Sequence, residues 1–306
     1  MYRDERMEKI WSKKAERNCS LTDFLLHDME LTKRQIKQAK FREDGIRVNS
    51  ARVRVTHELK AGDQVEVKLE EEHTGSSHLV PRKGKPDILY EDEDLLCVNK
   101  PAGLVVHPSH GHYADSLSNM LAFYFQEKGV QARIRSVGRL DKDTSGIVVF
   151  ALNQAAAGRL AKQKQQGSFG KEYLALVEGI PQKDEGIITE KIDKMEGELM
   201  RMCVSSQGKT AVTRYRVVEK MRDCSLVHLC LATGRTHQIR VHMAWMGHPL
   251  LGDSLYGGNT ECMKRAALHA FRAALLQPFT EEVIQIQAEF PDDMQKCLDA
   301  KRSEIK

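Results

Sequence analysis

Residues Ile147-Val148-Val149-Phe150-Ala151-Leu152 form an apolar run that is too short for a core helix and rich in β-branched side chains. It is predicted to be a strand buried on both faces. The run is entered directly from a polar loop, Val137-Gly138-Arg139-Leu140-Asp141-Lys142-Asp143-Thr144-Ser145-Gly146. A polar loop at the end of a rigid buried strand is a place where a scaffold presents catalytic groups. Asp141 stands between Arg139 and Lys142, whose charges favour its carboxylate form, and a carboxylate can serve as nucleophile or base. An ordinary turn aspartate accepting from nearby backbone amides fits the same residues, and local chemistry alone does not separate the two.

Apolar runs alternate with turn signals from this region on to about Phe290, with no internal repeat. At 306 residues and 41% hydrophobic content the chain exceeds one typical domain and can bury a proper core. The expected division is residues 1–75, a linker at 76–88 rich in Gly, Ser, Pro and charge, and one large domain over 89–306. Within the first part, Leu21, Phe24, Leu25 and Leu26 mark a short helix, and Thr32 can cap a second helix that Gly45 stops. Ile46-Arg47-Val48 and the alternating Val65-Glu66-Val67-Lys68-Leu69 read as strands, the second entered through a turn at Ala61-Gly62-Asp63. On the second helix Lys33, Lys37 and Lys40 recur at i, i+4 and i+7 beside Arg34, a basic stripe that by itself is an ordinary solvated face.

Several classes are set aside at this stage. The net charge of +4 suits an anionic partner, but 43 acidic residues stand against 47 basic ones, so charge does not prove RNA binding. The charged N-terminus lacks a signal-peptide core, and no apolar stretch has membrane-spanning length, so a cytoplasmic protein that engages no membrane is expected. Seven cysteines without a C-x-x-C pair read as reduced thiols, with neither a disulfide framework nor a zinc site. His107, His110 and His112 lie in a loop without a matching carboxylate or cysteine set, and His237 and His242 are off the i, i+4 spacing of helical zinc motifs; no metal is expected. Neither dinucleotide nor phosphate-loop signatures occur, so no nucleotide cofactor, and no cofactor of any kind, is expected.

Leu21-Thr22-Asp23-Phe24-Leu25, Thr32-Lys33-Arg34-Gln35-Ile36, Asp44-Gly45-Ile46-Arg47-Val48-Asn49 and Ala61-Gly62-Asp63-Gln64-Val65-Glu66-Val67 resemble, in that order, the S4 (αL-like) RNA-binding domain. Ser50 departs from the pattern, standing where glycine usually follows the Val-Asn pair. The resemblance implies phosphate contacts from Lys33, Arg34 and Lys37.

Around the aspartate loop stand Asn99-Lys100-Pro101-Ala102-Gly103-Leu104-Val105-Val106-His107-Pro108, Lys171-Glu172-Tyr173-Leu174-Ala175-Leu176-Val177-Glu178-Gly179 and Thr233-Gly234-Arg235-Thr236-His237-Gln238-Ile239-Arg240-Val241-His242. With Gly247-His248-Pro249-Leu250-Leu251-Gly252-Asp253 and Leu268-His269-Ala270 they closely resemble the RluA family of RNA pseudouridine synthases. The resemblance implies an α+β protein whose catalytic domain is built on a mixed, mainly antiparallel sheet. It implies that Asp141 attacks the target nucleoside, Tyr173 packs on the base and assists proton removal from C5, and Arg240 pairs with Asp141. Arg139 is expected to help displace the target base and Leu268 to form part of its apolar wall. Lys100, Thr144, Arg235, His237 and Gln238 are expected to contact substrate. Taken alone, Arg240 would be a surface arginine on a strand and Tyr173 a core tyrosine. The expected partner is structured RNA, with large-subunit ribosomal RNA of the 23S type as the first candidate, and the expected state is a monomer. Two rivals are a non-catalytic RNA-binding factor and a glycosidic-bond hydrolase; the hydrolase would need a second carboxylate, for which Asp143 is the nearest candidate.

Overall fold

A computed structural model of the chain describes residues 7–71, 76, 79–130, 132–198 and 200–304. The chain divides into two compact units, Met1–Thr74 and Gly75–Lys306. Residues 1–6 and 72–75 of the first expected region and 77 and 78 of the expected linker lie outside the described residues.

In the first unit, Ser20 caps a helical segment that runs over Leu21–Asp23 and continues with wider π-type winding over Phe24–Asp28. Thr32 caps the helix Lys33–Lys40 through a capping box with Gln35. That helix ends on Phe41, earlier than the expected stop at Gly45. Gly45 is needed for another reason, since a Cβ there would lie 1.9 Å from the Ala39 carbonyl oxygen. Strands Met7–Lys14, Gln64–Glu71, Ile46–Val48 and Ala51–Arg52 pair antiparallel in that spatial order. Leu21, Phe24, Leu25, Met29, Val65 and Val67 are buried. The strand Met7–Lys14 was not legible from sequence, because its charges obscure the alternation that leaves Ile10 exposed and Trp11 buried.

The second unit is built on a ten-stranded sheet. Its main path runs Glu185–Ile188, Thr213–Lys220, Cys224–Leu231, Gly170–Glu178, Leu268–Leu276, Ser145–Ala151, Leu95–Lys100 and Asp87–Glu91. Every pairing in this sheet is antiparallel except that of Ser145–Ala151 with Leu268–Leu276, so the expected mixed, mainly antiparallel sheet is present. All seven residues of Ser145–Ala151 are buried, and Ile147, Val148, Val149 and Phe150 have no exposed surface. Each such side chain contributes roughly 1.5–3 kcal/mol, which fixes the strand at the centre of the sheet.

Helix Leu117–Glu127 packs Leu117, Leu121 and Phe125 into the core on one sheet face, which also holds Val148, Phe150, Tyr173 and Leu229. Helix Gln154–Gln166 covers Ile147 and Val149 on the other face through Ala156 and Leu160. Helix Asp292–Ser303 buries Met294, Cys297 and Leu298 against Leu176 and Leu226. Cys262 and Cys297 are joined by a disulfide with Cα atoms 5.6 Å apart. This corrects the expectation of thiols alone: their loop and helix meet in one apolar cluster although the residues are 35 apart in sequence. Cys19, Cys97, Cys203, Cys224 and Cys230 are free thiols.

The stretch read as a linker is tied to this unit where it is described. Leu79 is buried in the main core, Ser76 accepts from the Ile134 amide, and Asn119 donates to the Val80 carbonyl. No helix among the described residues is long and apolar enough to cross a membrane.

Candidate active site

The polar loop 138–145 enters the sheet where its parallel pairing lies. Gly146 makes this approach feasible: its φ is +109°, and a Cβ would stand 2.3 Å from the Ala270 carbonyl oxygen. Asp141 is the partly exposed carboxylate of the loop, its side chain 29% accessible. Its Oδ2 lies 3.7 Å from Arg240 Nη1 and 4.0 Å from His237 Nε2.

Arg240 is buried, and it sits on the helix Gln238–Trp245 rather than on a strand. That helix follows His237, which adopts a left-handed φ of 55°. The closest partner of Arg240 is Asp253, which accepts from Nε and Nη2 at 2.7 Å each in a bidentate pair. The expected pairing with Asp141 is therefore the longer of two carboxylate contacts. Tyr256 completes the support: the Arg240 guanidinium lies 5.0 Å from its ring centroid, and its hydroxyl is 2.8 Å from His237 Nδ1 and accepts from the Met202 amide. Burial lowers the His237 pKa, against the pull of Asp141, and so favours a neutral imidazole.

Tyr173 lies on strand Gly170–Glu178, paired with Ala270, and is buried with Leu268 in the main core. Burial first, and the Asp141 charge second, raise the Tyr173 pKa well above the usual phenol range. It is thus a neutral phenol at ordinary pH and a poor general base. Leu268 is 4% exposed beside it, and Arg139 is exposed at the start of the loop. These residues make a carboxylate with cationic support next to a buried aromatic and aliphatic wall.

Three residues expected to contact substrate are buried and have partners within the loops. Lys100 has no exposed surface, and its ammonium donates to the carbonyls of Pro101 and Leu104 at 2.8 Å and of Lys142 at 3.0 Å. Thr144 is 2% exposed, and its amide closes a turn onto the Asp141 carbonyl. Gln238 is also 2% exposed; it accepts from the Thr233 hydroxyl and the Arg235 amide and donates to Val212 and Thr213. Arg235 is exposed and donates to the Thr210 carbonyl, while Lys33, Arg34 and Lys37 are exposed on the helix of the first unit.

Sequence reasoning gave no role to Asp253, Tyr256 or Arg265. Asp253 closes the Gly247–Asp253 motif, so the signal was present without an assignment. Arg265 donates to the Asp143 carbonyl and binds Asp293 at 2.7 and 2.8 Å, tying the aspartate loop to the last helix. Of the other histidines, His107 bonds Ser136 and Ser118, and buried His242 bonds Thr213 and the Glu190 carbonyl. Both read as structural.

Residues 94–245 match the family model described as RNA pseudouridylate synthase. The chain is 41% identical to the uncharacterized RNA pseudouridine synthase YhcT of Bacillus subtilis, covering 81% of this chain and 82% of that protein. It is 37% identical to the ribosomal large subunit pseudouridine synthase D of Nitrosomonas europaea, over 84% of this chain and 77% of that one. Among solved structures, human RNA pseudouridylate synthase domain containing 1 superposes with a TM-score of 0.57 at 30% identity, covering 70% of this chain and 87% of that chain.

Proposed function

Since this chain belongs to the RNA pseudouridylate synthase family, we propose that it isomerises a uridine in structured RNA with Asp141 as its nucleophile. The observation that carries this reading is the placement of Asp141: a partly exposed carboxylate 3.7 Å from buried Arg240, close enough for its charge to act on the buried Tyr173. In the proposed course the Asp141 carboxylate attacks C1′ and the glycosidic electron pair leaves on N1 of uracil. The ring turns, C5 attacks C1′ and displaces the carboxylate, and C5 then loses its proton as N1 gains one. Atoms balance without a donor or cofactor.

Because Tyr173 is held as a phenol, its part is stacking, and the regenerated Asp141 carboxylate is the better acceptor of the C5 proton. A base within a helix is out of reach, so the uridine is flipped outward at a cost of a few kcal/mol, offset by stacking and phosphate contacts. The first unit serves as an S4-type module, with Lys33, Arg34 and Lys37 on phosphates, setting position more than choice of uridine. Large-subunit ribosomal RNA is the proposed substrate, on the name of the Nitrosomonas relative. A monomer acting in the cytoplasm suits this reading.

Pseudouridine mapping of total RNA from cells with the intact gene, a deletion, and Asp141→Asn is the test. A site lost in both altered strains supports the reading and identifies the uridine. Loss in the deletion alone removes Asp141 from the chemistry, and release of free uracil by the purified protein would instead reveal a hydrolase.

A further inference from the structure

The sheet face opposite Tyr173 carries a set of side chains that the isomerisation does not use. Glu172 and Cys230 are direct cross-strand partners on Gly170–Glu178 and Cys224–Leu231, and His228 lies two residues before Cys230 on the same face. His228 Nε2 is 2.7 Å from Glu172 Oε2, and the carboxylate, imidazole and thiol ligand atoms all lie within 4.8 Å of one another. All three residues are half-buried on paired strands of the sheet. The His228 ring is further fixed by an edge contact with Phe271, centroids 5.8 Å apart.

We propose that Glu172, His228 and Cys230 form a binding site for a borderline-soft divalent cation of the zinc type. Carboxylate, imidazole and thiolate are the three donor classes that such an ion takes from proteins, and three donors leave a fourth position for water. Ligands at about 2.0–2.3 Å from a tetrahedral ion sit roughly 3.3–3.8 Å apart, so this set needs rotamer adjustment and no movement of the sheet. The linear sequence hides it, because Glu172 and His228 are 56 residues apart and only strand pairing unites them. The sequence-based expectation of no metal site rested on local spacing.

Charge sets the strength of the site. Arg272 reaches Glu172 at 3.8 Å, and exposed Arg214 and Arg216 pair across from Cys230 and His228. These cations oppose a free dication, but the thiolate and carboxylate neutralise a bound one, with loss of the thiol proton. The pairing of Gly170–Glu178 with Leu268–Leu276 shifts register between Glu172 and Tyr173, with Phe271 as the extra residue on the second strand. An ion held by Glu172 and His228 therefore sits beside this bulge, whose Phe271 ring touches His228.

The test uses the full-length protein with the Cys262–Cys297 disulfide intact, titrated with Zn²⁺ against a chromophoric chelator and, separately, with Co²⁺. One equivalent should bind with about one proton released, and Co²⁺ should give a thiolate charge-transfer absorption band. Cys230→Ser should abolish that band. His228→Asn should weaken Zn²⁺ binding by more than the roughly 10–100-fold that loss of an outer-shell partner costs, while Cys203→Ser should change nothing. A wild-type protein without the cobalt band, or a band that survives Cys230→Ser, overturns the proposal and leaves a plain His–Glu pair. Unaltered circular dichroism in both variants excludes misfolding as the cause of lost binding.

Discussion

Lys100→Met separates an anchor from a substrate contact. The lysine is wholly buried and donates three hydrogen bonds to carbonyls, one of them on Lys142, the neighbour of Asp141. Burial pushes its pKa from 10.5 down to about 7, opposed by the charges of Asp143 and Asp141. At about 1.4 kcal/mol per pH unit, keeping that side chain charged in the fold costs about 5 kcal/mol. Methionine removes this cost. It also takes the donor from the carbonyls of Pro101 and Leu104, at about 1–3 kcal/mol each, whereas the Lys142 carbonyl keeps the Gly103 amide at 2.9 Å. The two effects nearly cancel, so unfolding free energy near pH 7 should change by no more than about 3 kcal/mol. Activity should respond more strongly. If the Asp141 loop is catalytic as proposed, its displacement by about 1 Å costs on the order of 100-fold in rate, and the loss should fall on the single-turnover rate with RNA affinity preserved.

Linkage supplies a second readout for the same variant. Between pH 7 and about 10 the unfolded lysine keeps its proton while the folded one releases it, so the unfolded state binds more protons there and this group makes stability rise with pH, by up to about 1.4 kcal/mol per unit. Urea denaturation across that range should show the rise in the wild type and lose this part of it in Lys100→Met. Equal slopes would refute the buried-ammonium assignment. Weakened RNA binding with an unchanged single-turnover rate would place Lys100 on the substrate, as the sequence suggested.

Three further perturbations follow from the same geometry. Asp253→Asn removes the charge that holds Arg240; its stability loss, read by urea denaturation, should stay at or below the about 3–5 kcal/mol of a broken buried pair, because Asp141 remains 3.7 Å away, while the single-turnover rate falls as Arg240 is drawn onto Asp141, the proposed nucleophile. Gly146→Ala places a Cβ 2.3 Å from the Ala270 oxygen at a φ of +109° and should cost at least about 1–3 kcal/mol in thermal unfolding, with loss of pseudouridine formation. Ser50→Gly should stabilise the first unit by about 1 kcal/mol, since Asn49 and Ser50 form the two-residue turn between Ile46–Val48 and Ala51–Arg52 with φ of 49° and 67°; unchanged urea unfolding of that unit would show that the turn carries no such strain.

The last substitution also shows what the sequence made legible. Ser50 was visible as a departure from the S4 pattern, and the turn gives it a physical cost. The buried strand and its loop were readable because β-branched residues and turn residues act locally. Asp141 was readable as a candidate for the same reason, although only the ordered motifs singled it out from other turn aspartates. The loop partners of Lys100, Thr144 and Gln238 were not legible, because a motif records which residues a site needs, and a loop that must be held needs polar side chains as much as a substrate does. The helix bearing Arg240 was hidden as well: Ile239, Arg240, Val241, His242 and Met243 are all buried, so no polar face reveals a helical period. Asp253 and the Glu172, His228 and Cys230 set depend on tertiary contacts that no spacing along the chain records.

Topology explains why the candidate site residues meet where they do. Antiparallel neighbours enter a sheet from opposite ends, so the loops that lead into them lie far apart. Strands Ser145–Ala151 and Leu268–Leu276 run parallel, with Ser145 opposite His269 and Gly146 opposite Ala270. The loop carrying Asp141 and the residue Leu268 therefore arrive at one end of the sheet. Tyr173 pairs with Ala270 from the next strand, which puts Gly146, Ala270 and Tyr173 in one row across three strands. Nothing larger than glycine fits the first place in that row. The site is thus a consequence of one parallel pairing, and widening that pairing at Gly146 should separate Asp141 from Tyr173 while leaving the antiparallel remainder of the sheet in register.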